Sequence, residues 1–484
     1  MNKILCKSLV TTCFLIFLNP LLLAQQAYFP DPDPAIQQRL EEWKDLKFGL
    51  LMHWGPYSQW GIVESWSICP EDLPWATAAR KKGIAENNYT AYLKAYENLK
   101  TTFNPTKFKP EKWAVAAKEA GMKYLVFTTK HHDGFCMFDS KYTDYKITDK
   151  NTPFSTNPRS NITKEVFNAF RKENFWIGAY FSKPDWHSDY YWWKNFPPAD
   201  RNANYSISKY PDQWKKFTDY THNQLNELAS DYGKLDILWL DGGWVRKKTD
   251  EEIRHELSDI YEGSRYARNP QSQDIDMPRL VKEVRAKQPR LIVVDRAVPG
   301  EQQNYLTPEQ EIPEHGLTYP WETCMTMGNS WSYVPHDVYK PTNEIIEKLV
   351  DIVSKGGNYL LNIGPGPDGE LDPVAYARLK ELGVWMKING ESIYGTRIYS
   401  SFQEGPQVRF TQSKDGKTKF IFFFEYPTAK TILSKISLSN HAHLQLLGSE
   451  ETIPWVSNRE GIEFTMPAAL KKVSDHVWVL KVTD

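Results

Sequence analysis

The 484-residue chain has little cysteine, almost no net charge and, beyond its first two dozen residues, no long apolar run. Each scarcity excludes something. Cys6 and Cys13 fall in the N-terminal segment; Cys69, Cys136 and Cys324 are scattered singly through the rest. Three isolated thiols build neither a disulfide framework nor a zinc motif, so no structural metal is expected. Lysine plus arginine (59) nearly cancels aspartate plus glutamate (60) for a net charge of −1, with no basic stripe. Nucleic acid and an anionic membrane surface are therefore excluded as main partners. No segment after residue 24 is apolar for long enough to insert in a membrane. There is no internal repeat and no low-complexity linker. No glycine-rich phosphate turn follows the first strand, which disfavours a doubly wound nucleotide-binding sheet and leaves no cofactor expected. The remaining ligand class is neutral.

Aromatics are abundant instead, at 14% of residues with 18 tryptophans, many beside glycine, proline or histidine rather than inside periodic segments. Such side chains stack on sugar rings, although they also serve plain packing. The N-terminus carries Lys3 and Lys7, an apolar run over 9–23 and then Ala24-Gln25-Gln26. That is the pattern of a secretory signal peptide over 1–24, implying a secreted or periplasmic protein.

Between residues 25 and 396 strands and helices alternate. Apolar runs at 47–55, 123–129, 175–182, 235–244, 291–294, 319–324 and 358–363 read as strands. Helical patterns at 110–120, 161–173, 211–232, 277–287 and 342–354 lie between them. This is the signature of a (β/α)8-type barrel, whose active site gathers at the carboxyl ends of the strands. From 397 to 484 the texture changes to short β-rich runs divided by turn residues (408–410, 419–424, 432–438, 444–447, 462–466 and 476–482). This predicts a C-terminal β-sandwich.

The most informative run is LDILWLDGGW, 235–244. Its apolar residues suit a strand covered on both faces, and side-chain alternation puts Trp239 and Asp241 on one face. Gly242 and Gly243 permit a tight exit. Alone, Asp241 could as well cap a helix. In company it joins His53, the Lys130-His131-His132-Asp133 cluster, Tyr180, Arg296 and the acids after Arg296, all at predicted strand ends. A glycoside hydrolase needs two carboxylates flanking the scissile bond, with polar and aromatic groups gripping the sugar. A metal-dependent barrel hydrolase is the alternative, but metal barrels favour histidines at i and i+2, whereas His131 and His132 are adjacent.

The motifs KFGLLMHWGPYS (47–58), TTKHHDGF (128–135), IGAYFSKPDW (177–186), LDILWLDGGW, LIVVDR (291–296), TPEQ (307–310) and PWETCMTMGNSWSY (320–333) together resemble the α-L-fucosidases of glycoside hydrolase family 29. The resemblance spans the barrel and the trailing sandwich. It implies a retaining exo-α-L-fucosidase acting on fucosylated oligosaccharides or glycoconjugates. Asp241 matches the nucleophile, and His53, His131 and His132 match histidines that bind fucose hydroxyls. Tyr180 belongs to the same pocket. Glu64 and Trp66 resemble a Glu-Trp pair that grips the sugar, here with Ser65 between them. Arg296 matches an arginine beside the acid/base, Trp239 an apolar wall for the fucose methyl, and Trp321 a further pocket aromatic. Glu309, in TPEQ, matches the acid/base of one branch, with Glu322 as runner-up. A catalytically inactive fucose-binding barrel would be expected to lack Asp241 or the downstream carboxylate, and both are present.

Overall fold

A computed structural model describes residues 27–70, 76–77, 80–261 and 270–483; the predicted signal segment lies outside them. Seven parallel strands form one sheet: β1 (Phe48–Met52), β2 (Tyr124–Lys130), β3 (Trp176–Ser182), β4 (Ile237–Asp241), β5 (Ile292–Asp295), β6 (Glu322–Thr326) and β7 (Asn358–Asn362). Their order is β5-β4-β3-β2-β1-β7-β6. The eighth position is taken by irregular chain. Residues 302–310 bridge β5 through an antiparallel Val294–Gln303 pair and β6 through parallel Leu306–Trp321 and Glu309–Cys324 pairs. The expected barrel class is met, with an aperiodic segment in place of one strand.

Strand alternation sorts the core into two layers. Leu51, Val126, Tyr180, Ile237, Trp239, Val294, Cys324 and Leu360 point inward as one cluster. Their neighbours Leu50, Leu125, Phe127, Ile177, Leu238 and Leu240 pack outward under the helices. The helix Pro34–Lys44 is started by Asp33, whose carboxylate accepts from Ala35 N, with proline at the first turn where no N–H is needed. It supplies Trp43, stacked on Tyr305 at 4.1 Å, to the inner cluster. The long helix Pro211–Asp231 buries Trp214, Phe217, Thr221, Leu225 and Leu228, and Gly233 follows in left-handed conformation. Helices Tyr89–Glu97, Asp250–Tyr261 and Pro373–Asn389 were not foreseen.

Eight further strands run from β8 (Thr396–Glu404) through β9 (Val408–Ser413), β10 (Thr418–Phe423), β11 (Thr431–Leu433), β12 (His443–Leu446), β13 (Trp455–Asn458) and β14 (Gly461–Phe464) to β15 (Trp478–Thr483). They form a five-stranded sheet, β12-β15-β10-β9-β8, and a three-stranded sheet, β11-β14-β13. The sandwich expectation holds; β8, which begins one residue before the expected boundary, and β13 were both missed.

Candidate active site

A cavity of about 670 Å³ opens at the carboxyl ends of the strands, within the size range of small-ligand sites. Leu51 and His53 come from the end of β1, Glu64 and Trp66 from the loop after it, His131 from beyond β2 and Tyr180 from β3. Trp239 and Asp241 reach it from the same face of β4, as alternation requires. Arg296 follows β5, and Glu309 projects from the 302–310 segment. Gly242 allows β4 to end so abruptly: its φ is +87°, and a Cβ there would lie 2.3 Å from Pro184 Cδ.

One guanidinium joins the two acids. Arg296 Nη1 donates to Asp241 Oδ1 at 3.0 Å, and its Nη2 is bonded to Glu309 Oε2. Burial would raise the Asp241 carboxyl, but the Arg296 charge and a 2.7 Å bond from Tyr180 Oη to Oδ2 outweigh it and hold the group well below the usual carboxylate range. Asp241 is thus an ionised carboxylate throughout the neutral range. Burial likewise opposes the charge on Arg296, and the flanking Glu309 and Asp241 more than restore it. Glu309 is the more open of the acids, its side chain 42% exposed against 15% for Asp241.

The three histidines are buried and neutral. His53 Nδ1 lies 2.8 Å from Asn362 Oδ1, and the Asn362 amide N–H donates to Trp331 O at 2.6 Å. That second bond orients the amide, so the proton sits on His53 Nδ1 and Nε2 is left as an acceptor. His131 Nδ1 is 2.5 Å from the Oγ of Ser65, the residue between Glu64 and Trp66. Burial drives the His131 imidazole well below its ordinary range and His132 down to about 3. Both ring nitrogens of His132 are buried without a hydrogen-bond partner, a state proteins seldom leave without a purpose. Glu64 accepts from Ser332 N at 2.8 Å, and burial raises its carboxyl to about 7. Among the described residues one trio, His131, His132 and Asp241, offers donor atoms within 4.8 Å of one another, as a metal ion would require. Both Asp241 oxygens are already engaged, by Arg296 and Tyr180, so a cation here would have to compete with a guanidinium.

Neutral imidazoles and aromatic rings around two acids are the groups a glycoside hydrolase needs. The sequence model of the alpha-L-fucosidase family matches residues 16–391, and that of the alpha-L-fucosidase C-terminal domain matches 403–483. The chain belongs to the α-L-fucosidase family. Tissue alpha-L-fucosidase of Mus musculus is 28% identical over 483 residues, covering 95% of this chain and 96% of its own. Alpha-L-fucosidase of Dictyostelium discoideum is 26% identical over 496 residues, covering 99% of both. Among solved structures, alpha-L-fucosidase isoenzyme 1 from Paenibacillus thiaminolyticus superposes with a TM-score of 0.72 at 28% identity, over 93% of this chain and 99% of that one. The Thermotoga maritima alpha-fucosidase in complex with fucose gives 0.70 at 26%, over 94% and 100%.

Measured against the fucosidase motifs, most expected residues meet in the cavity, with His132 just behind its wall, its ring 4.9 Å from Trp66 and Nε2 3.7 Å from Asp241 Oδ2. Two do not. Trp321 precedes β6, fully buried against Gly357 with its N–H on Lys355 O, far from the strand's carboxyl end. Glu322 begins β6 rather than ending it, paired with Asn358 at the start of β7. It accepts from Tyr124 Oη and Trp239 Nε1 inside the barrel. Lys130 and Asp133 also turn away, to Asp185 and to Tyr96. Sequence reasoning missed Trp331, Arg201 and Trp244, which lie on loops, and Leu51, whose place two residues before His53 was a readable alternation signal.

Proposed function

We propose that this chain hydrolyses terminal α-L-fucosides of glycans or glycoconjugates by double displacement. Asp241 attacks the anomeric carbon while Glu309 gives its proton to the departing oxygen. Glu309 then takes a proton from water, whose oxygen attacks the same carbon and frees Asp241. Retention needs carboxyls about 5–5.5 Å apart, and two acids held on one guanidinium suit that narrow spacing. The observation that carries the reading is this Asp241–Arg296–Glu309 bridge, set beside two neutral histidines of the cavity lining, His53 and His131, able to exchange hydrogen bonds with sugar hydroxyls. Leu51, Trp239 and Trp331 give the pocket an apolar side for a sugar methyl. The N-terminal signal pattern supports export.

A 2-fluoro-fucosyl fluoride inactivator should label the peptide carrying Asp241, and Asp241→Gly should lose turnover by several orders of magnitude, on the scale of a missing nucleophile. Chelation with EDTA should leave turnover of the wild type intact. Label on another peptide, or activity lost to EDTA and restored by zinc, would sink the assignment, the latter in favour of a metal at His131, His132 and Asp241.

A further inference from the structure

Arg201, on the 185–206 loop, and Trp244 share one wall of the cavity, and Gln273 braces them from a third piece of chain. The Arg201 carbonyl accepts from Tyr191 Oη at 2.9 Å, from Trp186 Nε1 at 3.2 Å and from Trp244 Nε1 at 3.2 Å. The two indole N–H groups thus tie Trp186 and Trp244 to one carbonyl of the 185–206 loop. Trp244 Nε1 also reaches Tyr191 Oη at 3.2 Å. Buried Gln273 ties in the third piece of chain. Its Nε2 donates to Trp244 O at 3.3 Å, and its Oε1 accepts from Ala203 N and lies 3.0 Å from Tyr191 Oη. The Arg201 guanidinium lies 5.1 Å from the Trp244 ring and 5.6 Å from that of Trp66.

This bracing fixes an aromatic ring at the edge of the core. The polar edge of Trp244 is satisfied by Tyr191 and Arg201, and the ring lines the cavity. Depth places that wall. His131, His132, Tyr180 and Trp239 are at most 4% exposed, whereas Trp66, Trp244 and Arg201 are half-buried. A sugar attacked by Asp241 occupies the floor, and the group it sheds must lie toward the mouth.

We propose that Trp244 and Arg201 form the leaving-group subsite, which takes a hexopyranose by stacking its C–H face on the indole while the guanidinium meets its hydroxyls. Polarised C–H bonds suit the negative face of an aromatic ring, and a pre-fixed ring loses little entropy on binding. The proposal rests on the fucosidase reading, with Asp241 and Glu309 in their roles.

The test compares kcat/KM for a fucosyl-galactose disaccharide with that for α-L-fucosyl fluoride, whose leaving group has no ring to stack. In Trp244→Ala the ratio of disaccharide to fluoride should fall about tenfold, equivalent to about 1.4 kcal/mol of lost stacking. Trp244→Phe keeps a ring and should recover most of the ratio, which also guards against a misfolded alanine variant. Arg201→Met should lower the same ratio. An unchanged ratio in a wild type active on the fluoride overturns the subsite alone. Equal losses on both substrates would put the wall against fucose itself and also overturn it. A wild type inactive on both would fell the fucosidase reading and carry the subsite with it.

Discussion

Glu322 lies at the amino end of β6, sealed from solvent, and burial raises its carboxyl to about 7 despite bonds from Tyr124 and Trp239. Its sequence context, strand-like and beside a tryptophan, made it a rival to Glu309 because a one-dimensional reading cannot say which end of a short strand it occupies. Pairing settles that, because Glu322 lies opposite Asn358, the first residue of β7. A protonated acid there can donate to Tyr124 Oη, and the glutamine amide is its neutral mimic. Two outcomes should follow. Glu309→Ala should cripple oligosaccharide hydrolysis, spare aryl fucosides with good leaving groups and regain turnover with azide, because only a poor leaving group needs the acid. Glu322→Gln should do none of these. The fold retains the Glu322 proton up to about pH 7, while the unfolded chain releases it near 4.3. Wild-type stability from this site is therefore full at low pH and falls as pH rises across that window. The stability of Glu322→Gln relative to wild type should accordingly improve between about pH 4.5 and 7, by about 3 kcal/mol at most. Parallel denaturant titrations at three pH values would show it, and a pH-independent difference would mean that Glu322 does not titrate there.

At the level of elements, the regular parts of the barrel were legible because strands covered on both faces read as apolar runs and amphipathic helices show their stripe. The helix Pro373–Asn389 escaped because it is covered on two sides. A Cβ on Gly383 would lie 2.3 Å from Glu119 O, while Trp385 bonds Val477 O. The 302–310 segment escaped because it has no period at all; tertiary pairing, not propensity, makes it part of the sheet. Two left-handed residues shape this part of the site, Ala297 (φ 60°) directly after Arg296 and Gln310 (φ 56°) directly after Glu309. Such conformations cost about 1–2 kcal/mol for residues with a Cβ. Gln310 N bonds Cys324 O at 3.0 Å, and its side-chain amide exchanges bonds with Thr326 Oγ1 and N. It is a positioning residue for Glu309. Gln310→Ala should lower kcat/KM about tenfold or more for disaccharides, because a small misplacement of an acid is expensive, with far less loss for good aryl leaving groups. A steeper dependence of rate on leaving-group pKa is the signature, and equal loss on all substrates would dismiss the role.

Across the whole molecule, the sandwich is part of the barrel's own packing. Along β10 Phe420 and Phe422 join the cluster containing Leu349, Ile352, Leu382 and Trp385. Ile421 and Phe423 join Leu433, Ile462 and Phe464 of the three-stranded sheet. One strand thus has two buried faces, a division the sequence could not show because its consecutive aromatics give no sign of which partner lies on which side. The Arg409–Asp351 pair at 2.5 Å and Lys481–Glu391 at 2.6 Å cross the same boundary. The Lys481–Glu391 pair is open to solvent and contributes little beside the apolar contact. Trp385 is the central contact, 3% exposed, with its N–H on Val477 O at 2.8 Å. Removing its ring should cost about 3–5 kcal/mol, the range for large-to-small changes of a buried tryptophan. Since the two units share this core, the loss should be felt as one event. Trp385→Ala should lower a single unfolding transition in which catalytic activity, tryptophan fluorescence and far-ultraviolet circular dichroism change together. If activity survives a first transition that the spectroscopic probes record, the sandwich unfolds on its own and the shared core does not couple the two.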